Sequence, residues 1–370
     1  MNSALLPAVS RRQFLGHIAA GAAALAFAAH SRGQTPPTRK LGVALCGLGN
    51  YARGQLGPAL KLTQHCRLTG VITGSKEKGA EWAKEHGFAE KNIYHYDTMS
   101  QLAENPEIDI VYVVTPNALH APHTIAAAKA GKHVICEKPM AMNTAECDAM
   151  IAACQAAKVR LSIGYRLHFE PHTQELKRLA RDKDFGALVK MSGGNGFRMG
   201  RKVWRADYKL SGGGPLMDMG IYSIQAACMA AGDATCVAVS AKEHPKTRPE
   251  IFADVEEGLD YTLEFSNGAK AELMTTYAAG IGKFRAEGDK GWIALEPAHG
   301  YQGIAAVTSK GPLAITPVAS QQALQMDDFA RCVREQRDSI VGAAMGRRDM
   351  RIVDAIYESA KTGRRTLVKA

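Results

Sequence analysis

Glu137-Lys138-Pro139 closes the apolar run His133 to Cys136, and farther along Asp218 and Tyr222 stand four residues apart behind Gly212-Gly213-Gly214. A lysine at the mouth of a buried strand can donate to a bound hydroxyl, and its charge lowers the pKa of a neighbouring phenol. An unperturbed tyrosine titrates at about 10, so such a cation is what would make it a base near neutrality. On a helix, positions i and i+4 project from one face, which would send the Asp218 carboxylate and the Tyr222 hydroxyl into one cleft. Each residue also has a plainer reading. Lys138 taken alone is a surface lysine on a loop, and an isolated Asp-x-x-x-Tyr describes a core tyrosine whose hydroxyl a carboxylate satisfies.

A second group of residues points to a nucleotide. The run Leu41 to Cys46 leads into Gly47-Leu48-Gly49-Asn50-Tyr51-Ala52 and then a helical stretch, the strand-turn-helix setting of a dinucleotide fingerprint. Gly47 permits the tight turn, Gly49 lets a pyrophosphate approach backbone amides, and Ala52 allows close packing of helix on sheet. The same turn can also be purely structural. Where an acidic residue would hold the adenosine ribose at the end of the next strand, the chain reads Thr73-Gly74-Ser75-Lys76-Glu77-Lys78. A small hydroxyl and nearby lysines suit a 2′-phosphate, hence NADP, with NAD as the other candidate; the plainer reading, which Glu77 supports, is a solvated loop with ordinary helix-start residues. Thr115-Pro116-Asn117-Ala118-Leu119-His120 ends a fourth strand beside Glu137 and Lys138 on the fifth, at the edge where open α/β sheets bind ligands.

The elements that must position these residues alternate from Lys40 to Gly164. Apolar runs at Leu41 to Cys46, Leu68 to Thr73, Ile108 to Thr115, His133 to Cys136 and Val159 to Ile163 are separated by helical stretches such as Leu119 to Ala130, opened by Asn117, and Thr144 to Ala157. That rhythm predicts βαβ units and a Rossmann-type, doubly wound parallel sheet. Beyond Gly164 the period becomes two: Leu259, Tyr261, Leu263 and Phe265, an Asn267-Gly268 turn of type I′, then Ala269 to Leu273. A second hairpin is expected at Gly288-Asp289-Lys290-Gly291, and helices at Gln321 to Glu335 and Met350 to Lys361, giving an α+β domain with a large, mostly antiparallel open sheet.

Composition narrows the class. The chain has 370 residues, is 46% apolar and carries a net charge of +10, with no basic stripe interleaved with aromatics, so nucleic acid is not an expected partner. Eight cysteines show neither a CxxC nor a zinc spacing and read as small buried hydrophobes. Ser10-Arg11-Arg12-Gln13-Phe14-Leu15 precedes an uncharged, Ala-rich run from Gly16 to Ala29 that is too short for a membrane anchor. This is the layout of a twin-arginine signal, cleaved after Ala26-Phe27-Ala28, and it predicts export of the folded protein to the periplasm. The expected division is a signal at 1–28, a Pro-containing arm at 29–39, a dinucleotide-binding domain at 40–164 and a substrate and oligomerisation domain at 165–370, whose C-terminal helix packs back on the first.

The Glu137-Lys138-Pro139 tripeptide downstream of the glycine fingerprint resembles the Gfo/Idh/MocA oxidoreductase family. The likeness spans nearly the whole chain: the twin-arginine signal, the fingerprint, Ile93-Tyr94-His95-Tyr96, Gly131-Lys132-His133, Gly164-Tyr165-Arg166, the triple glycine with Leu216-Met217-Asp218, and Gly220-Ile221-Tyr222. Most of the wider family has histidine where Tyr222 stands; tyrosine there is similar to its glucose-fructose oxidoreductase branch. The resemblance implies catalysis by Lys138, Asp218 and Tyr222. It implies that Thr73 and Lys78 hold the 2′-phosphate, that Tyr96, Pro116, Asn117, His120, Glu137 and Arg166 line the nucleotide, and that Trp204 and Arg205 close over it. Arg166, His168 and Tyr301 join the catalytic trio as sugar contacts, although His168 and Glu170 could equally be hydrogen-bond partners one step removed.

The expected reaction is NADP-dependent oxidation of a cyclic aldose at C1 to its lactone. A retained cofactor would be reoxidised by a second sugar, as in conversion of fructose to sorbitol. Alternatives are a sugar or cyclitol dehydrogenase or 1,5-anhydrofructose-type reductase with exchangeable cofactor, a redox-based NAD-dependent glycosidase, and a non-catalytic sensor. By resemblance the protein forms a homodimer or homotetramer through its open sheets.

Overall fold

The computed structural model describes residues 39–369. The expected signal peptide, and the arm except its last residue, lie outside the described residues.

β1 (Leu41–Cys46) is buried along its whole length, as a strand covered by helices on both faces must be. It lies at the centre of a parallel sheet with β2 (Cys66–Ile72), β3 (Ile93–Tyr94), β4 (Ile110–Val113), β5 (His133–Cys136) and β6 (Leu161–Ile163), in the order β3-β2-β1-β4-β5-β6. The order reverses between β1 and β4, so the crevice at their carboxyl ends is the topological switch point. Crossover helices begin where the sequence offers caps: Ser75 accepts from the Lys78 amide at Lys76–His86, and Asn143 from the Glu146 amide at Thr144–Ala156. Asn117 departs from expectation. It opens only a short 3₁₀ turn, Asn117–Leu119, and its Nδ2 donates across to the Ser211 carbonyl, while the α-helix proper runs His120–Lys129.

The second sheet contains β7 (Leu188–Gly196), β8 (Cys236–Glu243), β9 (Gly258–Phe265), β10 (Lys270–Thr276), β11 (Ile281–Gly288), β12 (Gly291–Leu295), β13 (Ala306–Thr308), β14 (Gly311–Pro312) and β15 (Thr366–Leu367). Its order is β14-β13-β12-β11-β7-β10-β9-β8-β15, antiparallel except where β7 meets β10. Both expected hairpins are present, but the first turn is not type I′. The Gly268 amide donates to Phe265 O and the Phe265 amide to Ala269 O; Gly268 alone has positive φ, at 86°. That is a type I turn closed by a left-handed glycine, because Asn267 spends its side chain accepting from the Ala269 amide.

Helix Gln321–Glu335 packs against the first sheet. Met326, Phe329 and Ala330 share a core with Leu45, Leu56 and Tyr112, and Asp327 accepts from the Gln64 and His65 amides. The last helix, Ala343–Thr362, starts well before the expected Met350. Gly346 carries the reason: a Cβ there would stand 2.9 Å from Met140 Sδ and 3.0 Å from Ile163, so close approach to the first domain overrides poor helix propensity. Seven of the eight cysteines are buried. Among the described residues, no helix is long and apolar enough to cross a membrane, and no group of His, Cys, Asp and Glu is arranged to hold a metal ion.

Candidate active site

The triple glycine is dictated by packing. A Cβ on Gly213 would fall 1.9 Å from the Tyr357 hydroxyl and one on Gly214 2.2 Å from the Glu256 carbonyl. Buried Glu256 accepts from the Gly214 amide (2.9 Å), the Leu216 amide (3.1 Å) and the Tyr357 hydroxyl (3.0 Å). The chain then makes a wide π-turn, Leu216–Gly220, before regular helix Ile221–Ala231. Asp218 lies in the wide turn and Tyr222 in the first turn beyond it, so the pair does not share one regular helix; it converges on Lys138 nonetheless. Lys138 Nζ donates to the Asp218 carbonyl (2.6 Å), lies 3.6 Å from Asp218 Oδ1 and sits 4.4 Å from the centroid of the Tyr222 ring. The surface-lysine reading is thereby excluded, the Lys138 side chain being only 10% exposed.

Asp218 has two further partners. Arg205 Nε donates to Oδ2 at 2.9 Å and the Tyr277 hydroxyl at 3.1 Å. Burial pushes the Asp218 carboxyl up, but the Arg205 and Lys138 charges outweigh it and hold it below the usual carboxylate range. Glu137 behaves oppositely: burial raises it, while the Tyr112 hydroxyl (2.7 Å to Oε1) and the Lys138 charge only partly compensate. Gly164 is glycine because a Cβ would meet the Glu137 carboxyl at 2.6 Å.

Arg166 runs between two aromatic rings, 5.0 Å from Tyr222 and 4.3 Å from Tyr301. Its guanidinium donates to the carbonyls of His299 (2.7 Å) and Gly300 (2.9 Å) and to Gln321 Oε1, so it clamps the loop that carries Tyr301. Tyr301 is 43% exposed and faces Tyr51, 5.9 Å between centroids, at the rim.

On the nucleotide side, Gly47 has φ +107°, a conformation an L side chain rarely adopts, and its amide donates to the Ile72 carbonyl. Leu48 follows half-buried, Gly49 and Asn50 are exposed, and nothing lies within 4 Å of where a Gly49 Cβ would stand. Such open space above a turn that leads into a helix is what a pyrophosphate approaching the backbone requires, so these residues fit a dinucleotide. Thr73 is buried at the end of β2, its hydroxyl accepting from the Ser75 amide. Lys78 is exposed one turn into the next helix, and Tyr96 flanks Gly74 and stacks on His123 at 4.8 Å. Pro116 precedes buried Asn117 and His120. His120 Nδ1 lies 2.8 Å from the Pro139 carbonyl and Nε2 2.9 Å from that of Thr115; burial lowers its pKa to about 4, and the neutral ring donates to one of these two carbonyls.

Three further side chains named from the sequence have protein partners in the fold. Arg205, expected to close over the nucleotide, is paired with Asp218 and stacks on neighbouring Trp204 at 4.5 Å. His168 is buried with Nε2 2.6 Å from Gln225, which itself binds Asp349. Glu170 caps helix Pro171–Arg181, accepting from the Thr173 amide and hydroxyl and from His172. Both side chains therefore already hold protein partners of the kind weighed from the sequence. Residues that sequence reasoning missed are Glu256, Tyr277 and His299. Glu256 and Tyr277 border strands of ordinary alternation, and no local pattern marks any of the three.

With this geometry in place, the class is defined. The chain matches the oxidoreductase family with an NAD-binding Rossmann fold over residues 41–165 and the GFO/IDH/MocA C-terminal domain over 173–294. It belongs to the Gfo/Idh/MocA family and is an NAD(P)-dependent oxidoreductase acting on sugars. A solved structure of aldose-aldose oxidoreductase from Caulobacter crescentus, complexed with glycerol, superposes with a TM-score of 0.86 at 40% identity, covering 89% of this chain and 100% of that one. Among characterised relatives, D-xylose 1-dehydrogenase [NADP(+)] of Haloarcula marismortui is 28% identical over 89% of this chain and 93% of its own length. D-glucoside 3-dehydrogenase of Escherichia coli is 28% identical over 88% and 97% respectively.

Proposed function

We propose that this enzyme oxidises a cyclic aldose at C1 to its lactone with NADP, and that a second sugar returns the cofactor to its oxidised state. The observation that carries this reading is the placement of Lys138 Nζ between the Asp218 carboxylate and the Tyr222 ring. Tyr222 takes the proton of the anomeric hydroxyl, and the ammonium over its ring stabilises the negative charge arriving on the phenol oxygen. Asp218, kept ionised by Arg205 and Lys138, has lone pairs left to accept sugar hydroxyls and so orient the ring. The dinucleotide held by Gly47 to Tyr51, Thr73 and Lys78 supplies the hydride acceptor when bound. Similarity to an aldose-aldose oxidoreductase supports a sugar as the second substrate.

The deciding experiment purifies the protein without added nucleotide, records absorbance in the reduced-nicotinamide band, then adds glucose, and afterwards fructose or a second aldose. A rise on glucose that the second sugar reverses is expected. Activity only with added NADP would overturn cofactor retention and leave a simple dehydrogenase. Thr73→Asp should shift preference toward NAD through repulsion of the 2′-phosphate, and an unchanged preference would remove Thr73 from the site. Periplasmic export rests on the Arg11-Arg12 signal alone, and is checked by fractionating cells that express the wild type or an Arg11→Lys, Arg12→Lys variant.

A further inference from the structure

His299 stands beside Tyr222. Its ring is 6.0 Å from that of Tyr222 with planes inclined by 22°, and the residue is only 8% exposed. Neither ring nitrogen has a hydrogen-bond partner among the described residues. Buried polar groups are almost always paired, so an imidazole with both nitrogens unsatisfied beside a reacting tyrosine marks a place for a ligand that brings its own donor and acceptor.

The loop around it is fixed by its backbone rather than by the imidazole. Arg166 donates to the carbonyls of His299 and Gly300, and Gln321 Nε2 to those of Gly300 (3.2 Å) and Tyr301 (3.0 Å). The imidazole is therefore held in place while its nitrogens remain unused. Burial, and after it the Arg166 charge, lowers its pKa to about 3, so the ring is neutral and offers one donor and one acceptor. A sugar hydroxyl, which both gives and receives a hydrogen bond, is the complementary group.

We propose that His299 is a substrate-contacting residue that hydrogen-bonds the sugar hydroxyl next to the reacting carbon and thereby selects the sugar at that position. This rests on the reading that a sugar reacts at Tyr222. For C1 oxidation the hydroxyl concerned is that on C2.

The test compares kcat and KM for D-glucose and 2-deoxy-D-glucose in wild type, His299→Phe and His299→Gln, with NADPH dissociation followed by nucleotide fluorescence. Wild type should prefer glucose by roughly tenfold or more, since a site built to bind a hydroxyl rejects the analogue lacking it. His299→Phe keeps a flat ring against Tyr222 and should lose that preference, mainly through KM for glucose. His299→Gln should recover part of it, and NADPH affinity should stay within about twofold in all three. A preference retained in His299→Phe, an equal fall for both sugars, or a change in NADPH affinity with sugar KM unchanged would each overturn the proposal. Should His299→Phe fail to fold, His299→Ala is read in the same way. If wild type instead oxidises another carbon, the aldose C1 reading fails by itself, and the same comparison is made with the analogue deoxygenated beside the carbon that reacts.

Discussion

Two glycine-rich turns lead into wide π-turns in this molecule, and their glycines serve opposite ends. At Gly47 to Ala52, the space over Gly49 is empty to 4 Å, and the turn Ala52–Leu56 begins the helix behind it. At Gly212 to Gly214, every Cβ would collide, with Met142 Sδ at 2.7 Å, the Tyr357 hydroxyl at 1.9 Å and the Glu256 carbonyl at 2.2 Å. The first turn leaves room for a ligand, whereas the second is packed so that Asp218 and Tyr222 are delivered to Lys138. The same residue type is used once for access and once for precision, and only neighbouring atoms tell the two apart.

Breaking the delivered cluster should have the largest effect. Lys138→Ala should lower kcat by about a thousandfold, within the range usual for a group that assists proton transfer, while nucleotide fluorescence titration shows binding intact. Full activity in that variant would refute its role. Acid should act on the packed side next. His120 and His168 have pKa values lowered by burial to about 4 and His299 to about 3, against 6.5 for an unfolded histidine. Between those values the unfolded chain binds more protons. Stability should thus be whole above pH 6.5 and fall as pH drops toward 4, by up to about 1.4 kcal/mol per pH unit for each histidine. Thermal melts across that range check it, and a flat profile would contradict it.

The comparison itself is sharpened by a matched pair of substitutions. Gly214→Ala should cost roughly 1–3 kcal/mol of stability through forced displacement of Glu256, and should reduce kcat with it. Gly49→Ala should leave the melting temperature within about 1 °C and weaken nucleotide binding about tenfold, because its methyl group enters ligand space rather than protein. Equal melting temperatures for the two variants would erase the distinction. Smallest is Tyr277→Phe, which removes one of the hydrogen bonds on Asp218 and should cost about 1 kcal/mol in kcat/KM, a few-fold loss.

Much of the scaffold was legible because period and caps are local. β5 at His133–Cys136 and helix Gln321–Glu335 fall where the pattern puts them, and Thr144–Ala156 ends within a residue of expectation. Lys138, Asp218 and Tyr222 could be singled out because each sits beside a signal, the strand end or the triple glycine. The Gly268 turn and the start of Ala343–Thr362 were missed, since a side-chain hydrogen bond decided one and the need to approach Met140 decided the other.

By itself the sequence determined the order of elements, the carboxyl edge where chemistry gathers and the residue types available there, all set by hydrophobic period and local turn chemistry. Tertiary structure alone decided which of those residues meet. Arg205 and Tyr277 reach Asp218 from separate loops, and Arg166 and Gln321 fix the loop that sets His299 against Tyr222. Hydrogen bonds and ring contacts of a few ångströms join positions from 13 to 133 residues apart, and no local pattern in a chain encodes a distance between such positions.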